Sequence, residues 1–204
     1  MEEVGAAVSE NAVGDEVVGF TNRRASHAEY VVVRAVALRP GDRLVVSAAA
    51  GGVGSIAVQL AKLAGAAVIG IAGRANHAWL SSHGVTPVAY GDGLEDRLRA
   101  AAGGPIDAFI DTFGGGYVDV AIRLGVRPER IDTIIDFAAA KRHGVKAEGS
   151  AAAATAQVLG ELVGLIRDGK LDVPIAKVFP LDRVQDAYRE LEQRHTRGKI
   201  VLSP

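Results

Sequence analysis

Three glycines and a valine in one turn give the clearest indication of a binding site in this chain. In the segment RLVVSAAAGGVGSIAVQLAKLAG they are Gly51, Gly52, Val53 and Gly54. A β-rich apolar run leads into the turn and a helical pattern leaves it, which is the setting of a dinucleotide-binding fingerprint. In that setting Gly51 lets the chain turn off the strand, Gly52 lets the backbone approach a pyrophosphate, and Gly54 lets the helix pack closely on the strand. The pattern predicts a site for a diphosphate.

The helix that begins near Val53 supplies the second part of this prediction. Its first backbone N–H groups have no partner within the helix, and the helix dipole adds partial positive charge at the same end. The competing interpretation is a tight strand-to-helix turn that binds nothing. The strand before the turn and the helix after it favour the binding site.

The segment IAGRANH, at the end of the next predicted strand, bears on the choice of dinucleotide. An NAD-selective site places Asp or Glu about 20 residues after the glycine turn, on the ribose 2′-hydroxyl. Here Gly73 and Arg74 occupy that place, and no acid follows before Asp92. A carboxylate would repel a 2′-phosphate, whereas a guanidinium binds one in a bidentate manner. The prediction is NADPH, against the alternative that Arg74 contacts only solvent.

Other catalytic constellations find little support in the sequence. There is no cysteine, which excludes thiol catalysis, disulfides and Cys-ligated zinc. A GxSxG elbow is absent, and no tyrosine is followed by Lys four positions later, as short-chain reductases require. The histidines lack metal-type spacing and are expected at the surface or in loops; they are His27, His77, His83, His143 and His195. No catalytic residue and no metal ligand is predicted.

Two pairs of aspartates, Asp107 with Asp111 and Asp132 with Asp136, have a spacing that suggests acid–base chemistry. The second member of each pair falls at the end of a predicted strand. Turn and capping positions are the commoner use of Asp there, so Asp111 and Asp136 are predicted to serve the backbone.

The charge and hydropathy of the whole chain exclude several partners. Its 204 residues carry 23 Lys and Arg against 24 Asp and Glu, without a long basic run, so nucleic acid is not expected. No apolar stretch approaches the roughly 20 residues needed to span a bilayer, so no membrane partner is expected. The opening segment MEEVGAAVSE is acidic and has no apolar core of a signal peptide, and the expected location is the cytoplasm.

From Arg43 onward, short apolar β-rich runs alternate with helical segments. This alternation predicts a doubly wound α/β domain with a parallel sheet covered by helices on both faces. The earlier segments EEVGAAVSENAVGDEVVGF and HAEYVVVRA favour antiparallel strands with turns. Residues 1–38 are therefore assigned to a partial, mostly β substrate domain and residues 39–204 to the dinucleotide-binding domain. An alternative returns the C-terminal segment to the first domain.

Several segments resemble the medium-chain dehydrogenase/reductase superfamily, in particular its zinc-free quinone oxidoreductase branch. They are, in chain order, VGDEVVGF, AEYVVV, RPGDRLVVSAAAGGVG, IDAFIDTFGG and HTRGKIVLSP. The resemblance extends over nearly the whole chain and implies a Rossmann domain preceded by a GroES-like substrate domain. Members of that branch have several dozen further residues between the segments similar to AEYVVV and RPGD, so the substrate domain is expected to be incomplete here.

The resemblance also implies a set of cofactor-binding residues. They are Gly51, Gly52, Val53 and Gly54 at the pyrophosphate, Gly73, Arg74, His77 and Tyr90 at the adenosine ribose phosphate, Phe113, Gly114, Ile135, Asp136 and Phe137 at the nicotinamide, and Lys199 near the C-terminal strand. Relatives commonly have Lys where this chain has His77, and histidine would be a weaker, pH-dependent partner for a phosphate.

What the resemblance implies for function is transfer of hydride from NADPH to a quinone or an α,β-unsaturated carbonyl, without zinc. In such enzymes the cofactor supplies the chemistry, and the protein supplies position and a dry cleft. One alternative is a non-catalytic NADPH-binding module, either a sensor or a structural subunit. Another is an enoyl-reductase part of a larger synthase, which the compact end at Pro204 disfavours. Relatives often form homodimers by joining sheet edges, and the segment RIDTIID is the expected edge strand.

Overall fold

The computed structural model describes residues 33–148 and 155–204. The strands are β1 (Arg43–Val46), β2 (Ala67–Ile71), β3 (Thr86–Val88), β4 (Ala108–Asp111), β5 (Ile131–Thr133), β6 (Ile175–Pro180) and β7 (Lys199–Ser203). The helices are α1 (Gly54–Leu63), α2 (His77–Ser82), α3 (Leu94–Ala102), α4 (Tyr117–Arg123), α5 (Phe137–His143), α6 (Ala156–Arg167) and α7 (Val184–Glu192). Short 3₁₀ turns cover Arg74–Asn76, Pro128–Arg130 and Leu181–Arg183.

The strands β1 to β5 form one parallel sheet in the order β3-β2-β1-β4-β5. A helix lies between each strand and the next along the chain, which confirms the predicted doubly wound α/β fold. The chain crosses to the other half of the sheet after β3, so the strand order reverses between β1 and β4. The carboxyl ends of β1 and β4 therefore border a crevice, the place where open sheets of this kind bind ligands.

Helices cover both faces of this sheet, and its central strands are buried from either side. Leu44 and Val46 of β1 belong to a core cluster that also contains residues of α1 and α6. Val45, between them, belongs to a second cluster with residues of α3, α4 and α5. Because successive side chains of a strand point to opposite faces, a strand covered on both faces needs apolar residues at every position. This explains the uninterrupted apolar run LVV.

The segment that enters the sheet is helical at residues 33–35, where the sequence predicts the end of a strand. Val33 and Val36 are both buried in the cluster that contains β1 and α1. A run of valines is compatible with either structure, and a spacing of three residues places two of them on one helical face. The strands expected earlier in the chain lie outside the described residues, so the division into 1–38 and 39–204 stays a prediction.

A largely buried ion pair joins this entering segment to the residue that precedes β5. Arg130, just before β5, donates to the carbonyl oxygen of Ala37 over 3.1 Å and pairs with the carboxylate of Asp42. Burial alone would raise the pKa of Asp42, but the hydrogen bond and charge of Arg130, together with the amide of Arg39, hold that pKa below its ordinary value. The pair therefore stabilises the fold with Asp42 ionised.

The segment RIDTIID is a shorter strand than the sequence predicts. Strand β5 ends at Thr133, and α5, which the sequence does not predict, begins at Phe137 after Asp136 caps it. The outer edge of β5 is already occupied, because the amide of Thr133 and the carbonyl of Ile131 bond to the backbone of Lys146. Ile131 and Thr133 thus already have a backbone partner on this side, and a homodimer through the edge at RIDTIID stays a prediction.

The predicted strand–helix–strand ending is present, but its strands form a sheet of their own. Strands β6 and β7 pair in parallel, and α7 connects them and packs against both. One backbone hydrogen bond, from the amide of Gly198 to the carbonyl oxygen of Ala50, joins this unit to the parallel-sheet domain, whereas the amide of Lys199 donates to Pro174, just before β6, within the unit itself. The first of these contacts places the C-terminal segment beside the glycine turn.

Candidate functional site

A cleft of about 530 Å³ opens at the carboxyl ends of the parallel strands. It is lined by Ala48, Ala50, Gly51, Ile71, Ala72, Gly73, Arg74, Ala75, Asn76, Tyr90, Phe113, Tyr117, Arg194, His195 and Thr196. None of these lining residues is Asp or Glu, so no carboxylate on the walls opposes a bound anion. Of the site residues predicted from the sequence, the cleft brings together Gly51, Gly73, Arg74, Tyr90 and Phe113.

The glycine turn packs too closely on the end of β1 to accept side chains. A Cβ atom on Gly54 would lie 2.2 Å from the carbonyl oxygen of Ala48 and 2.8 Å from the Cα atom of Ala49. One on Gly51 would lie 3.2 Å from the same oxygen. Ala48 itself adopts a left-handed conformation, with φ of 43°. The close helix–strand packing predicted for Gly54 is confirmed.

The amino end of α1 presents backbone donors. The amides of Gly52, Val53 and Gly54 donate no hydrogen bond to any group among residues 33–148 and 155–204. Free N–H groups at the positive end of a ten-residue helix suit a diphosphate. On the other side of the turn, a Cβ atom on Gly52 would lie 3.9 Å from Nζ of Lys199, so this predicted site residue is next to the turn.

The residues after β2 form the next part of the cleft. The side chain of Arg74 makes no ion pair or hydrogen bond with the part of the chain that the structure describes. Tyr90 lies close to Gly73, whose Cβ atom, if present, would be 3.6 Å from the phenol oxygen. His77 is not among the lining residues, and its Nε2 is hydrogen-bonded to the carbonyl oxygen of Ala72 over 3.2 Å. Arg74 thus lines the cleft, whereas His77 does not.

The turns after β4 and β5 carry the residues expected around a nicotinamide. Phe113 lines the cleft, whereas Gly114, Ile135, Asp136 and Phe137 lie outside its lining. The two turns touch, since a Cβ atom on Gly114 would lie 3.3 Å from Cγ2 of Ile135. Ile135 and Phe137 are exposed apolar side chains, at 53% and 62%.

Both aspartates that the sequence assigns to the backbone have that role. The buried carboxylate of Asp111 accepts hydrogen bonds from the amides of Phe113 and Gly114, over 3.0 and 2.9 Å. Asp136 caps α5 by accepting a hydrogen bond of 3.0 Å from the amide of Ala139. The prediction that these side chains serve turns and caps is confirmed.

Sequence reasoning missed the cleft residues that precede β7. Arg194, His195 and Thr196 line the cleft, and the guanidinium of Arg194 lies 6.0 Å from the ring centre of Phe113. Arg194 has a left-handed backbone, with φ of 56°. The signal was present in the segment HTRGKIVLSP, from which only Lys199 was taken as a site residue. The contact depends on the chain folding back over the glycine turn, and the local pattern does not contain that information.

Tyr117, at the start of α4, is a second residue that the sequence did not assign to the cleft. Its ring meets that of Phe113 edge to face, with the ring centres 6.0 Å apart. Burial, then the nearby negative charge of Asp111, and then Tyr90 raise the pKa of the Tyr117 phenol. The phenol therefore remains protonated over the physiological range and is available as a hydrogen-bond donor.

No set of metal ligands accompanies this cleft. Among residues 33–148 and 155–204 there is no group of three or more His, Asp or Glu side chains that could hold a metal ion. Since the chain also lacks cysteine, a zinc ion of the usual protein-bound kind does not fit the described residues. As for a membrane, none of the helices within those same ranges is both long and apolar enough to cross one.

Comparison with known proteins agrees with this geometry. The model of the zinc-binding dehydrogenase family matches residues 83–202. The quinone oxidoreductase from Coxiella burnetii is 30% identical, over 88% of this chain and 60% of that one, with a TM-score of 0.75. Prostaglandin reductase 1 from Bos taurus is 43% identical over 42% of this chain and 27% of its own length.

A polyketide synthase, GfsB from Streptomyces halstedii, is 29% identical over 98% of this chain. The chain spans only 4% of that synthase, so it matches one small part of a very large protein. Because the family model matches more than half of the sequence, and because the parallel sheet and glycine turn agree with it, the chain belongs to the zinc-binding dehydrogenase family of the medium-chain dehydrogenase/reductase superfamily.

Proposed function

We propose that this chain binds NADPH and passes its hydride to a quinone or an α,β-unsaturated carbonyl compound. The proposal is carried by two neighbouring features, the backbone amides at the start of α1 and the guanidinium of Arg74, neither of which has a hydrogen-bond partner among the described residues. The absence of Asp and Glu from the cleft lining leaves that positive charge unopposed.

The residues divide the anionic parts of the cofactor between them. The amides of Gly52, Val53 and Gly54 would hold the diphosphate, as helix amino ends do in general. Arg74 would bind the 2′-phosphate, since a guanidinium matches two phosphate oxygens at once. Arg194, which lies beside Phe113, would add a second cation to the same cleft.

NADPH, when bound, would supply the hydride. The chain's own part would be to position the two reacting molecules and to exclude water from one wall of the cleft. Phe113 and Tyr117 would form the apolar part of that wall, and the protonated phenol of Tyr117 could donate a hydrogen bond. The lack of a zinc ligand set among the described residues supports a reaction without zinc.

The cofactor part of the proposal is tested by thermal unfolding of the whole chain with NADPH and with NADH. A ligand present at about 100 times its dissociation constant stabilises the folded state by about 2.7 kcal/mol. We expect NADPH to raise the melting temperature more than the same concentration of NADH. An equal effect of the two cofactors would contradict the role given to Arg74.

The catalytic part is tested by following NADPH absorbance with 1,4-benzoquinone. Steady oxidation that depends on enzyme concentration is the expected result, and it would exclude the alternative of a non-catalytic NADPH-binding module. Binding of NADPH without turnover would support that alternative instead.

A second candidate, an enoyl-reductase part of a larger synthase, is favoured by the match of 98% of this chain to a polyketide synthase. An enoyl thioester is itself an α,β-unsaturated carbonyl, so the same cleft would serve. Comparing NADPH oxidation with crotonyl-coenzyme A and with 1,4-benzoquinone separates the two candidates. The mass of the native protein from its source would show whether further domains are attached.

A further inference from the structure

The buried carboxylate of Asp111 connects three strands at the end of the sheet that borders the cleft. It lies at the last position of β4, after Ala108, Phe109 and Ile110, and is completely inaccessible to solvent. A buried carboxylate is costly unless hydrogen bonds compensate for the lost water. The partners of Asp111 therefore show what this position does.

One oxygen of this carboxylate serves two turns. Besides the amides of Phe113 and Gly114, Oδ1 accepts a hydrogen bond of 2.7 Å from the hydroxyl of Ser47, which follows β1. The Ser47 hydroxyl in turn accepts the amide of Thr112 over 2.8 Å. These bonds fix the turn after β4 relative to the segment that leads into the glycine turn.

The other oxygen reaches the neighbouring strand. Oδ2 accepts a hydrogen bond of 2.9 Å from the hydroxyl of Thr133, the last residue of β5. That hydroxyl oxygen accepts the amide of Asp136 over 3.1 Å and that of Ile135 over 3.4 Å. Thr133 thus relays the position of Asp111 to the turn after β5.

The turn after β4 needs such restraint. Gly114, Gly115 and Gly116 have φ values of 79°, 63° and 88°, so three consecutive residues adopt the left-handed conformation. Glycine is the residue with the greatest conformational freedom, and a run of three has little local preference for one arrangement. The contact between Gly114 and Ile135 then depends on both turns being held by the same carboxylate.

We propose that Asp111 is a positioning residue for the nicotinamide half of the cofactor, acting through the turns after β4 and β5. This inference rests on the proposed function, because it takes those two turns to be the walls of the nicotinamide site. Asp111 does not itself line the cleft, and its carboxylate accepts hydrogen bonds from Ser47 after β1, from the turn after β4 and from Thr133 at the end of β5. Arg74 and the glycine turn, which would hold the other half of the cofactor, make no direct hydrogen bond to the Asp111 carboxylate among the described residues.

The test compares NADPH with adenosine 2′,5′-bisphosphate, which lacks the nicotinamide half, by titration calorimetry on the full chain. For Asp111→Asn we expect the dissociation constant of NADPH to rise about tenfold. The side-chain NH₂ of asparagine replaces one carboxylate oxygen and cannot accept the hydrogen bonds that this oxygen accepts in the parent chain. The constant for the bisphosphate should stay within about twofold of the parent value. If Asp111 had a purely structural role, its substitution would weaken the binding of both ligands or of neither.

Thr133 provides a second pair of variants in case Asp111→Asn does not fold. Thr133→Val removes the relay hydroxyl and should weaken NADPH but not the bisphosphate, whereas Thr133→Ser keeps the hydroxyl and should restore the parent affinity. The matched control is Asp132→Asn. Asp132 lies on β5 beside Thr133, and its carboxylate is as buried as that of Asp111 but does not bond to either turn. It should change neither affinity.

The outcomes separate this inference from the function on which it rests. If the parent chain binds neither ligand, the proposed function is wrong and the inference is wrong with it. If the parent binds both ligands and the Asp111 and Thr133 variants bind NADPH as well as the parent does, only the positioning role is overturned. Equal weakening of the two ligands would also overturn it.

Discussion

At the scale of single residues, the cleft gathers positive charge from two points that are 120 positions apart in the sequence, Arg74 and Arg194. Arg74 can be predicted, because its place is set by counting from the glycine turn to the end of the next strand. Arg194 cannot, since it enters the cleft only after the chain has folded back from β6 through α7. The same limit applies to Asp111, whose turn role is predictable but whose bonds to Ser47 and Thr133 are not.

We expect the substitution Arg74→Ala to weaken NADPH binding by about 10- to 100-fold, which is the range for hydrogen bonds to charged groups. The guanidinium has no partner in the described structure, so its removal leaves no buried group unpaired and should not unfold the protein. Binding of NADH should change little, because NADH lacks the 2′-phosphate. Fluorescence titration with the two cofactors measures both effects.

The control for this prediction is Arg99→Ala. Arg99 is a half-exposed arginine of α3 that pairs with Glu95 and Asp96, away from the cleft. The substitution Arg99→Ala should leave the dissociation constants of NADPH and NADH unchanged. Equal losses of NADPH and NADH affinity in Arg74→Ala would show that the side chain supports the cleft without selecting the phosphorylated cofactor.

At the scale of helices and strands, the sequence identifies most elements because strand and helix periodicity alternate clearly between β1 and α4. It fails where a polar side chain decides the outcome. The apolar run of RIDTIID continues past Thr133, yet the strand ends there. The side chains of Thr133 and Asp136 accept hydrogen bonds from the backbone amides of the turn and of α5. Nor can periodicity show that β6 and β7 pair apart from the main sheet, since pairing depends on tertiary packing.

The junction of β1 and α1 makes a prediction about stability. Gly54→Ala should destabilise the fold by at least about 3 kcal/mol, because the added methyl group meets backbone atoms, which cannot move aside as a flexible side chain does. Urea denaturation followed by circular dichroism measures the change in the free energy of unfolding. A loss of under about 1 kcal/mol would mean that α1 can shift away from β1, contrary to the tight packing described above.

The matched control is Gly160→Ala, in the exposed part of α6. A Cβ atom at this position would meet nothing within 4 Å. Alanine is the better helix former by about 1 kcal/mol, so this variant should be more stable than the parent chain. The same chemical change thus has opposite signs at the two positions.

At the scale of the whole molecule, two aspartates, the partly buried Asp42 before β1 and the buried Asp132 of β5, respond to pH in opposite ways. Asp42 has the ion pair with Arg130, whereas Asp132 is inaccessible to solvent and pairs with no cation in the part of the chain that the structure describes. Its Oδ1 accepts the amide of Glu148 over 2.8 Å, and its Oδ2 has no hydrogen-bond partner within the described residues. Burial, then the neighbouring charge of Glu148, raise the pKa of Asp132 to about 6 despite that hydrogen bond.

A raised pKa in the folded state means that protonation of Asp132 favours folding. Its contribution is fully present below its ordinary pKa of 3.8 and is lost as the pH rises through about 6. Between pH 7.5 and pH 5 the parent chain should therefore gain about 1.4 kcal/mol of stability relative to Asp132→Asn, which cannot titrate. Denaturant unfolding of both chains at the two pH values measures this difference.

Asp42→Asn separates this effect from the general response of the protein to acid. The pKa of Asp42 is lowered in the folded state, so its contribution is lost only as the pH falls below the ordinary value of 3.8. The substitution should lower the free energy of unfolding by about 1–3 kcal/mol, because it leaves the buried guanidinium of Arg130 without its charged partner, and the loss should be the same at pH 5 and at pH 7.5. If the gap between the parent and Asp132→Asn also stays constant over this interval, Asp132 is ionised in the folded protein at pH 5, and its burial is shallower than the structure gives.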